Sequence, residues 1–264
     1  MFTFVEVTLL LTGVLSGFFG GLLGIGGATI LIPILMYLLP VLGVEFTFHQ
    51  ITGLSMAQVF FAALIGAITH YQGKNLRKNL IIIVGGPLLV GSFLGAATSK
   101  FISEQALVAI FAFVLFLSIV MMFKKKDEDA SCDIDTENYL SGNKEKAIGA
   151  SIGGFAGILA GLVGVGGAAF LIPALTYFLN IPIKICIGTS LGIILAGGAS
   201  GFLGKAVTGQ VPFVPAFFIV MGAMVGSRIG SKVSIKLKGH NLKKILLIFL
   251  IVILIRVVLS LFNV

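Results

Sequence analysis

Two glycine-rich motifs carry the residues of this sequence that are best suited to bind a ligand. The first reads GLLGIGGATILIP from Gly21 to Pro33 and the second reads GLVGVGGAAFLIP from Gly161 to Pro173, with nine of thirteen positions identical. Glycines adopt positive φ angles and let a ligand approach the backbone. A helix that restarts after such a motif presents free N–H groups and the positive end of its dipole, which favour an anion. The pair therefore predicts two anion-binding breaks in helices.

Close helix packing is the alternative explanation for glycines at this spacing, because small residues four apart let membrane helices approach one another. Gly13 and Gly17 fit that explanation, and so do Gly20 and Gly24. For the GxGG tips themselves we favour the binding site.

Hydroxyl and amide side chains form a second set of candidates. Thr52, Ser55 and Gln58 follow one another at intervals of three in an apolar stretch, and Thr189 and Ser190 occupy the corresponding stretch of the second half. Hydroxyls can donate to an oxyanion, or they can bond locally to the carbonyl four residues earlier. The amide of Gln58 points more strongly to function, because it needs partners in lipid.

Three cations are candidates for attracting an anion. Lys205 matches His70 of the first half, and each is expected either to flank a vestibule or to anchor at the interface. Arg228 lies at the end of a span, where such side chains usually reach the cytoplasmic interface. The expected substrate-binding residues are Gly24, Gly26, Gly27, Ala28, Thr29, Thr52, Ser55, Gln58, Gly164, Gly166, Gly167, Ala168, Thr189 and Ser190.

The sequence lacks the residues that proton relay, ATP hydrolysis, metal binding and enzymatic catalysis would require. No Asp or Glu falls inside an apolar stretch, which disfavours a carboxylate proton relay. No Walker lysine follows the glycines, and the sequence has neither a Cys/His metal spacing nor a nucleophile–base–acid set. We therefore expect a protein that is not an enzyme and that binds no cofactor and no metal.

The elements that position the candidate residues must lie in lipid. Hydrophobic residues make up 58% and charged residues 11% of the 264 positions, whereas soluble proteins have about 25% charged residues. The net charge of +8 comes without a basic face or stacking aromatics, so we expect no nucleic-acid partner.

Uncharged stretches divide the chain, and two of them, 7–44 and 147–183, are too long for one crossing of about 30 Å. The glycine motifs interrupt both, so each must fold back. We predict an all-α membrane protein of two inverted repeats, each of about five helical segments that begin with a glycine-broken hairpin. Eight spans plus two re-entrant hairpins, or ten spans, fit equally well. Residues 1–123 form the first transmembrane repeat, 124–146 a charged cytoplasmic linker and 147–264 the second transmembrane repeat.

The basic residues support this folding back. With both long stretches turned back, 15 of the 18 Lys and Arg share one side, and only Lys100, Lys205 and Arg256 lie on the other. Cytoplasmic loops are enriched in Lys and Arg. The pattern therefore predicts a multi-pass protein of the cytoplasmic (inner) membrane with both termini outside.

At the duplicated motifs the chain resembles the TauE/SafE family of probable sulfite exporters, also called the 4-toluene sulfonate uptake permease family. The motifs run from Gly20 to Ala28 and from Ala160 to Ala168, and the resemblance spans essentially the whole chain. The Gly-Thr-Ser-Leu element common in the family stands at Gly188–Leu191 and, in altered form, at Gly53–Met56. The resemblance implies a transporter of small sulfur-containing anions such as sulfite, sulfonates or sulfoacetate.

Together these features predict a secondary transporter that moves a small anion across the cytoplasmic membrane by alternating access between the two repeats. An anion channel and an accessory membrane subunit without transport of its own are the alternatives. The expected partners are a small anionic substrate and the lipid bilayer. The sequence leaves open the homo-oligomeric state, the coupling ion and the direction of transport.

Overall fold

The computed structural model describes residues 2–73, 76–124 and 142–262, and this part of the chain is all-helical. A 3₁₀ turn, Ser99–Phe101, follows the fourth helix. Most of the predicted linker, including Cys132, lies outside the described residues, as does Lys74. The helices are α1 (Phe2–Leu23), α2 (Ala28–Val41), α3 (Phe48–Gln72), α4 (Lys78–Thr98), α5 (Glu104–Lys124), α6 (Asn143–Val163), α7 (Ala168–Phe178), α8 (Ile183–Val207), α9 (Phe213–Lys236) and α10 (Gly239–Phe262).

Seven of the described helices are long and apolar enough to cross a membrane, namely α1, α3, α4, α5, α6, α8 and α9. Helix α10 also has 24 residues. Helices α2 and α7 have only 14 and 11 residues, which extend about 21 and 17 Å, roughly half the hydrocarbon thickness. Each predicted hairpin is therefore a full-length helix followed by a half-length one, and the ten-span alternative is wrong for α2 and α7.

Glycines four residues apart bring two pairs of helices into backbone contact. On α1, Gly13, Gly17 and Gly21 face the backbone of α9, and a Cβ at any of them would collide with it. On α6, Gly153 and Gly157 face α4 in the same way. The packing explanation is thus confirmed for Gly13 and Gly17, since small residues permit this close approach.

Contact registers fix the relative directions of the central helices. Successive glycines of α1 meet successive turns of α9, so these helices run parallel, and the same holds for α6 with α4, α3 with α9 and α8 with α4. Helices α3 and α8 run in opposite directions, because Met56 meets Gly201 whereas Gly66 meets Leu191. Consequently α1, α3 and α4 each run opposite to the helix five places later in the chain.

Two serine hydrogen bonds join the central pair to its neighbours at equivalent positions. Ser92 of α4 donates to the Gly197 carbonyl of α8 at 2.8 Å, and Ser227 of α9 donates to the Ala62 carbonyl of α3 at 2.6 Å. Both serines and both acceptors are 135 positions apart in the sequence. Helices α3 and α8 thereby form the buried centre around which the other helices pack.

Candidate functional site

Each half of the chain follows its first helix with a loop of left-handed glycines. In the first glycine loop (Gly24–Gly27), the three glycines have φ angles of 73°, 71° and 84°, and those of the second glycine loop (Gly164–Gly167) have 80°, 72° and 79°. Residues with a Cβ rarely adopt such angles, so these positions require glycine. Helices α2 and α7 begin directly after the loops, at Ala28 and Ala168, as the sequence predicts.

A serine from the opposite half holds each loop. Ser190 Oγ lies 2.9 Å from the Gly24 carbonyl oxygen, and Ser55 Oγ lies 2.6 Å from that of Gly164, each as donor. Both hydroxyls also lie 2.8–2.9 Å from the carbonyl three residues earlier in their own helix. The expected local bond therefore exists at i−3 rather than i−4. The bond across to the loop is a structural finding that local sequence did not indicate.

The tips of the two loops converge on one apolar pair, Val59 of α3 and Ile194 of α8. A Cβ placed on Gly26 would lie 3.3 Å from Val59 Cγ1 and 3.6 Å from Ile194 Cγ2; on Gly166 the corresponding distances are 2.6 and 3.2 Å. Both Val59 and Ile194 are completely buried. The chain therefore brings the two predicted glycine tips together at the same place, and in this conformation apolar side chains close the space between them.

The first glycine loop has a polar neighbour. The Nε2 atom of Gln58 donates to Ser16 Oγ at 2.8 Å and lies against Gly27, only 2.5 Å from where a Cβ on that glycine would stand. The Oε1 atom of Gln58 is buried and has no hydrogen-bond partner among the described residues, and the same is true of Thr29 Oγ1 in the first turn of α2. Because a buried polar group without a partner is costly, these two atoms are the best candidates in the first half for ligand contacts.

The candidate threonines of the two central helices, Thr52 and Thr189, occupy different surroundings. Thr52 packs against Gly164 of the second glycine loop, since a Cβ on that glycine would meet both its Cβ and its carbonyl oxygen. The hydroxyl of Thr189 instead accepts a hydrogen bond of 3.3 Å from the backbone N–H of Arg77, just before α4. The structure thus brings Thr52, but not the Thr189 hydroxyl, into the surroundings of a loop.

Of the three candidate cations, two are buried inside the helical bundle. Lys205 is completely buried and His70 is 1% exposed, which contradicts the alternative that they anchor at the interface. The alternative that they flank a vestibule stays a prediction. His70 lies beside the backbone of Gly21, yet neither ring nitrogen makes a well-formed hydrogen bond to a described residue. Arg228 is exposed on the outer surface of α9, which agrees with an interfacial position and separates it from the loops.

Five residues around the loops and Lys205 were missed in the sequence, among them Ser16, which accepts a hydrogen bond from Gln58 Nε2. Val59 and Ile194 had a usable signal, because each follows a loop-holding serine by four residues and so lies on the same helix face. Ser99 and Gln210, which contact Lys205 Nζ, had none. Within the described ranges, no three His, Cys, Asp or Glu side chains come together where they could hold a metal ion.

Comparison with known proteins gives consistent matches along the whole chain. The family described as "Sulfite exporter TauE/SafE" matches residues 9–257. "Probable membrane transporter protein YdhB" of Bacillus subtilis (strain 168) is 32% identical over 86% of this chain and 87% of its own length. The "Probable membrane transporter protein YunE" of the same strain is 27% identical, covering 94% and 95%. A "Probable membrane transporter protein" of Haemophilus influenzae is 30% identical, covering 96% and 97%. No solved structure matches significantly.

Proposed function

The chain belongs to the TauE/SafE family, and from that premise we propose that it is a secondary transporter that moves a small anion across the cytoplasmic membrane. Its similarity to probable membrane transporters along nearly its full length supports transport as the activity. The family description supports a sulfur-containing substrate such as sulfite, a sulfonate or sulfoacetate.

The proposal rests mainly on one observation, that both glycine loops pack against Val59 and Ile194. Each loop interrupts an apolar segment, and an interrupted helix is tolerated in a membrane where it is buried in protein or lines a cavity. Transporters with paired, oppositely directed halves bind substrate at such breaks, between the halves. The proposed substrate site therefore lies between the first and second glycine loops and includes the first turns of α2 and α7.

The way in which the loops are held supports alternating access as the proposed mechanism. The carbonyls of Gly24 and Gly164 are bound by serines of the opposite half, so moving one half against the other must remake both contacts. The closed apolar pair between the tips supports a carrier over a channel, because a channel needs a continuous path. A hydrated or protonated anion bound between the loops would provide hydrogen-bond partners for Gln58 Oε1 and Thr29 Oγ1.

The same proposal sets the orientation of the chain. We place residues 1–123 and 147–264 as inverted repeats, with both termini outside and the 124–146 linker in the cytoplasm, because the basic residues then concentrate on the cytoplasmic side. Cys186 is buried, so Cys132 is the natural reporter. An impermeant thiol reagent should leave Cys132 unlabelled in intact cells and label it in inside-out vesicles; labelling in intact cells would contradict this orientation.

Flux measurements test the function itself. The purified chain, reconstituted in liposomes, should accumulate radiolabelled sulfite with saturable kinetics, and unlabelled sulfonates should compete. Liposomes without protein, and liposomes with a Gly166→Ala variant that is still folded, serve as controls. Non-saturating conductance would instead favour a channel, and absence of flux with the whole panel of small oxyanions and sulfonates would favour the accessory subunit.

A further inference from the structure

Lys205 occupies a polar cluster that the loop site does not account for. Its Nζ atom donates to Thr52 Oγ1 at 3.0 Å, to Ser99 Oγ at 2.7 Å and to Gln210 Oε1 at 2.8 Å. We call these four residues the Lys205 cluster. The side chain of Lys205 is completely buried. An ionisable side chain inside a membrane protein is costly and usually marks a functional site.

The hydrogen-bond partners around Lys205 match those of an ammonium. The hydroxyls of Thr52 and Ser99 each lie 2.8 Å from a carbonyl oxygen of their own chain segment, that of His49 and that of Ala96. When they donate to these carbonyls, both accept from Lys205. The Oε1 atom of Gln210 is an acceptor by nature. Three acceptors require three N–H donors, and only the ammonium form of lysine has three.

Among the described residues, no carboxylate forms an ion pair with Lys205. All three partners of Lys205 are neutral, and among the described residues the ion pair at this end of the bundle is His49–Glu104, at 3.3 Å. Glu104 is half-exposed and makes no contact with Lys205. Removing an ammonium from water without a compensating anion costs several kcal/mol, so the cluster is suited to receive a negative charge.

The cluster adjoins the second glycine loop through Thr52. The hydroxyl of Thr52 binds Lys205, while its Cβ and carbonyl oxygen pack against Gly164. Gly164 is the residue whose carbonyl Ser55 holds. An anion bound at Lys205 therefore lies one residue away from the loop. The equivalent position beside the first loop carries His70 instead of lysine, so the two ends of the bundle differ in charge.

We propose that the Lys205 cluster is a second anion-binding site, a subsite that takes a small oxyanion on its way to or from the glycine loops. The anion would replace neutral acceptors of the Lys205 ammonium, which has three N–H donors. An ammonium with three N–H donors suits an anion with several oxygens, such as sulfite or a sulfonate, better than a halide. This inference rests on the proposed function, because it places the subsite on the route of the same substrate.

Equilibrium binding to the purified full-length chain tests the subsite, with sulfite, methanesulfonate and chloride as the probes. Lys205→Met removes the charge and keeps the length, and Gln210→Glu supplies an internal counter-charge in nearly the same volume. Either change should weaken sulfite binding by about tenfold or more, since hydrogen bonds to charged groups are strong. Lys100→Met is the matched control, because Lys100 is an exposed lysine near the same end, and it should bind sulfite like the unmodified chain.

The possible results separate the subsite from the function. If the unmodified chain binds sulfite or methanesulfonate and both folded variants bind them equally well, the subsite is overturned and the transport proposal stands. If the unmodified chain binds none of the oxyanions, the proposed function itself is contradicted. If Lys205→Met does not fold, Gln210→Glu decides the question alone. Binding of chloride that matches sulfite and depends equally on Lys205 would contradict the oxyanion assignment.

Discussion

The two glycine loops have the same backbone conformation but differ in the side chains around them. Each has three glycines at positive φ, a carbonyl held by a serine of the opposite half, and a tip packed on Val59 and Ile194. The first loop, however, lies against the amide of Gln58, whereas residue 193, at the equivalent position of α8, is isoleucine.

The same contrast recurs at the C-terminal ends of the central helices α3 and α8. Lys205 has three hydrogen-bond acceptors, and its equivalent, His70, has two ring nitrogens without well-formed hydrogen bonds. Features shared by the two halves thus build the frame and hold the loops, while polar residues found in one half only distinguish its two ends. Ligand specificity, and any difference between the two sides of the membrane, should therefore depend on the polar residues found in one half only.

Alanine at the loop tips should have the largest effect and should differ between the halves. Both Gly26→Ala and Gly166→Ala place a Cβ at positive φ, which costs about 1–2 kcal/mol. At Gly166 the new Cβ would also lie 2.6 Å from Val59 Cγ1, against 3.3 Å at Gly26. Thermal unfolding in detergent should therefore show the larger loss for Gly166→Ala.

Val59→Ala provides the control for that difference. Adding it to Gly166→Ala should restore part of the lost stability, because the colliding methyl groups are gone, and it should restore little in Gly26→Ala. Equal losses at the two tips, with no rescue by Val59→Ala, would break the packing explanation.

Removal of the loop-holding hydroxyls should have the same effect in both halves, smaller than the combined strain and collision at Gly166. Ser55→Ala and Ser190→Ala each leave a buried loop carbonyl without its partner, which costs about 1–3 kcal/mol. Chemical unfolding of each variant should give similar losses. A large loss for one serine and none for the other would show that the frame is not shared.

Replacement of Gln58, whose amide has no equivalent in α8, should affect binding more than stability. Gln58→Leu removes the polar neighbour of Gly27, and we expect sulfite affinity to fall by about tenfold. Ile193→Leu, at the equivalent buried position, is the matched control, because a volume-conserving apolar change is usually tolerated. Equal affinities in the two variants would place the ligand away from the first glycine loop.

The smallest effect is expected at Glu104. Its contact with His49 joins two partly exposed side chains, and such pairs contribute about 0–1 kcal/mol. Glu104→Gln should therefore leave saturable sulfite flux unchanged. A loss of flux in folded Glu104→Gln protein would indicate that this carboxylate takes part in coupling.

Local features of the site were predictable from the sequence, because they depend on single residue types. The breaks at the glycines and the helix starts at Ala28 and Ala168 follow from the conformations that glycine permits. Packing of Gly13 and Gly17 against another helix follows from their spacing. Within the described residues, the all-helical fold follows from the uncharged stretches, which must satisfy their backbone groups in lipid.

Contacts between distant residues could not be predicted in the same way. The lysine at 205 was recognised as a cation, but its burial depends on Ser99, which lies 106 positions earlier, and on the local turn that carries Gln210. The half-length of α7 is likewise set by where the chain turns at Leu179 rather than by its apolar character. One sequence carries no signal for such pairings when neither residue type is unusual.

Accessibility of the closed pair between the loops tests the central claim most directly. Val59→Cys, in a chain with Cys132→Ser and Cys186→Ala, can be reconstituted in liposomes and exposed to an impermeant thiol reagent from either side. If a small anion is carried between the loops by alternating access, residue 59 should become labelled from each side, and saturating sulfite should slow labelling from both. A residue that stays unlabelled from both sides, with and without sulfite, would contradict this account.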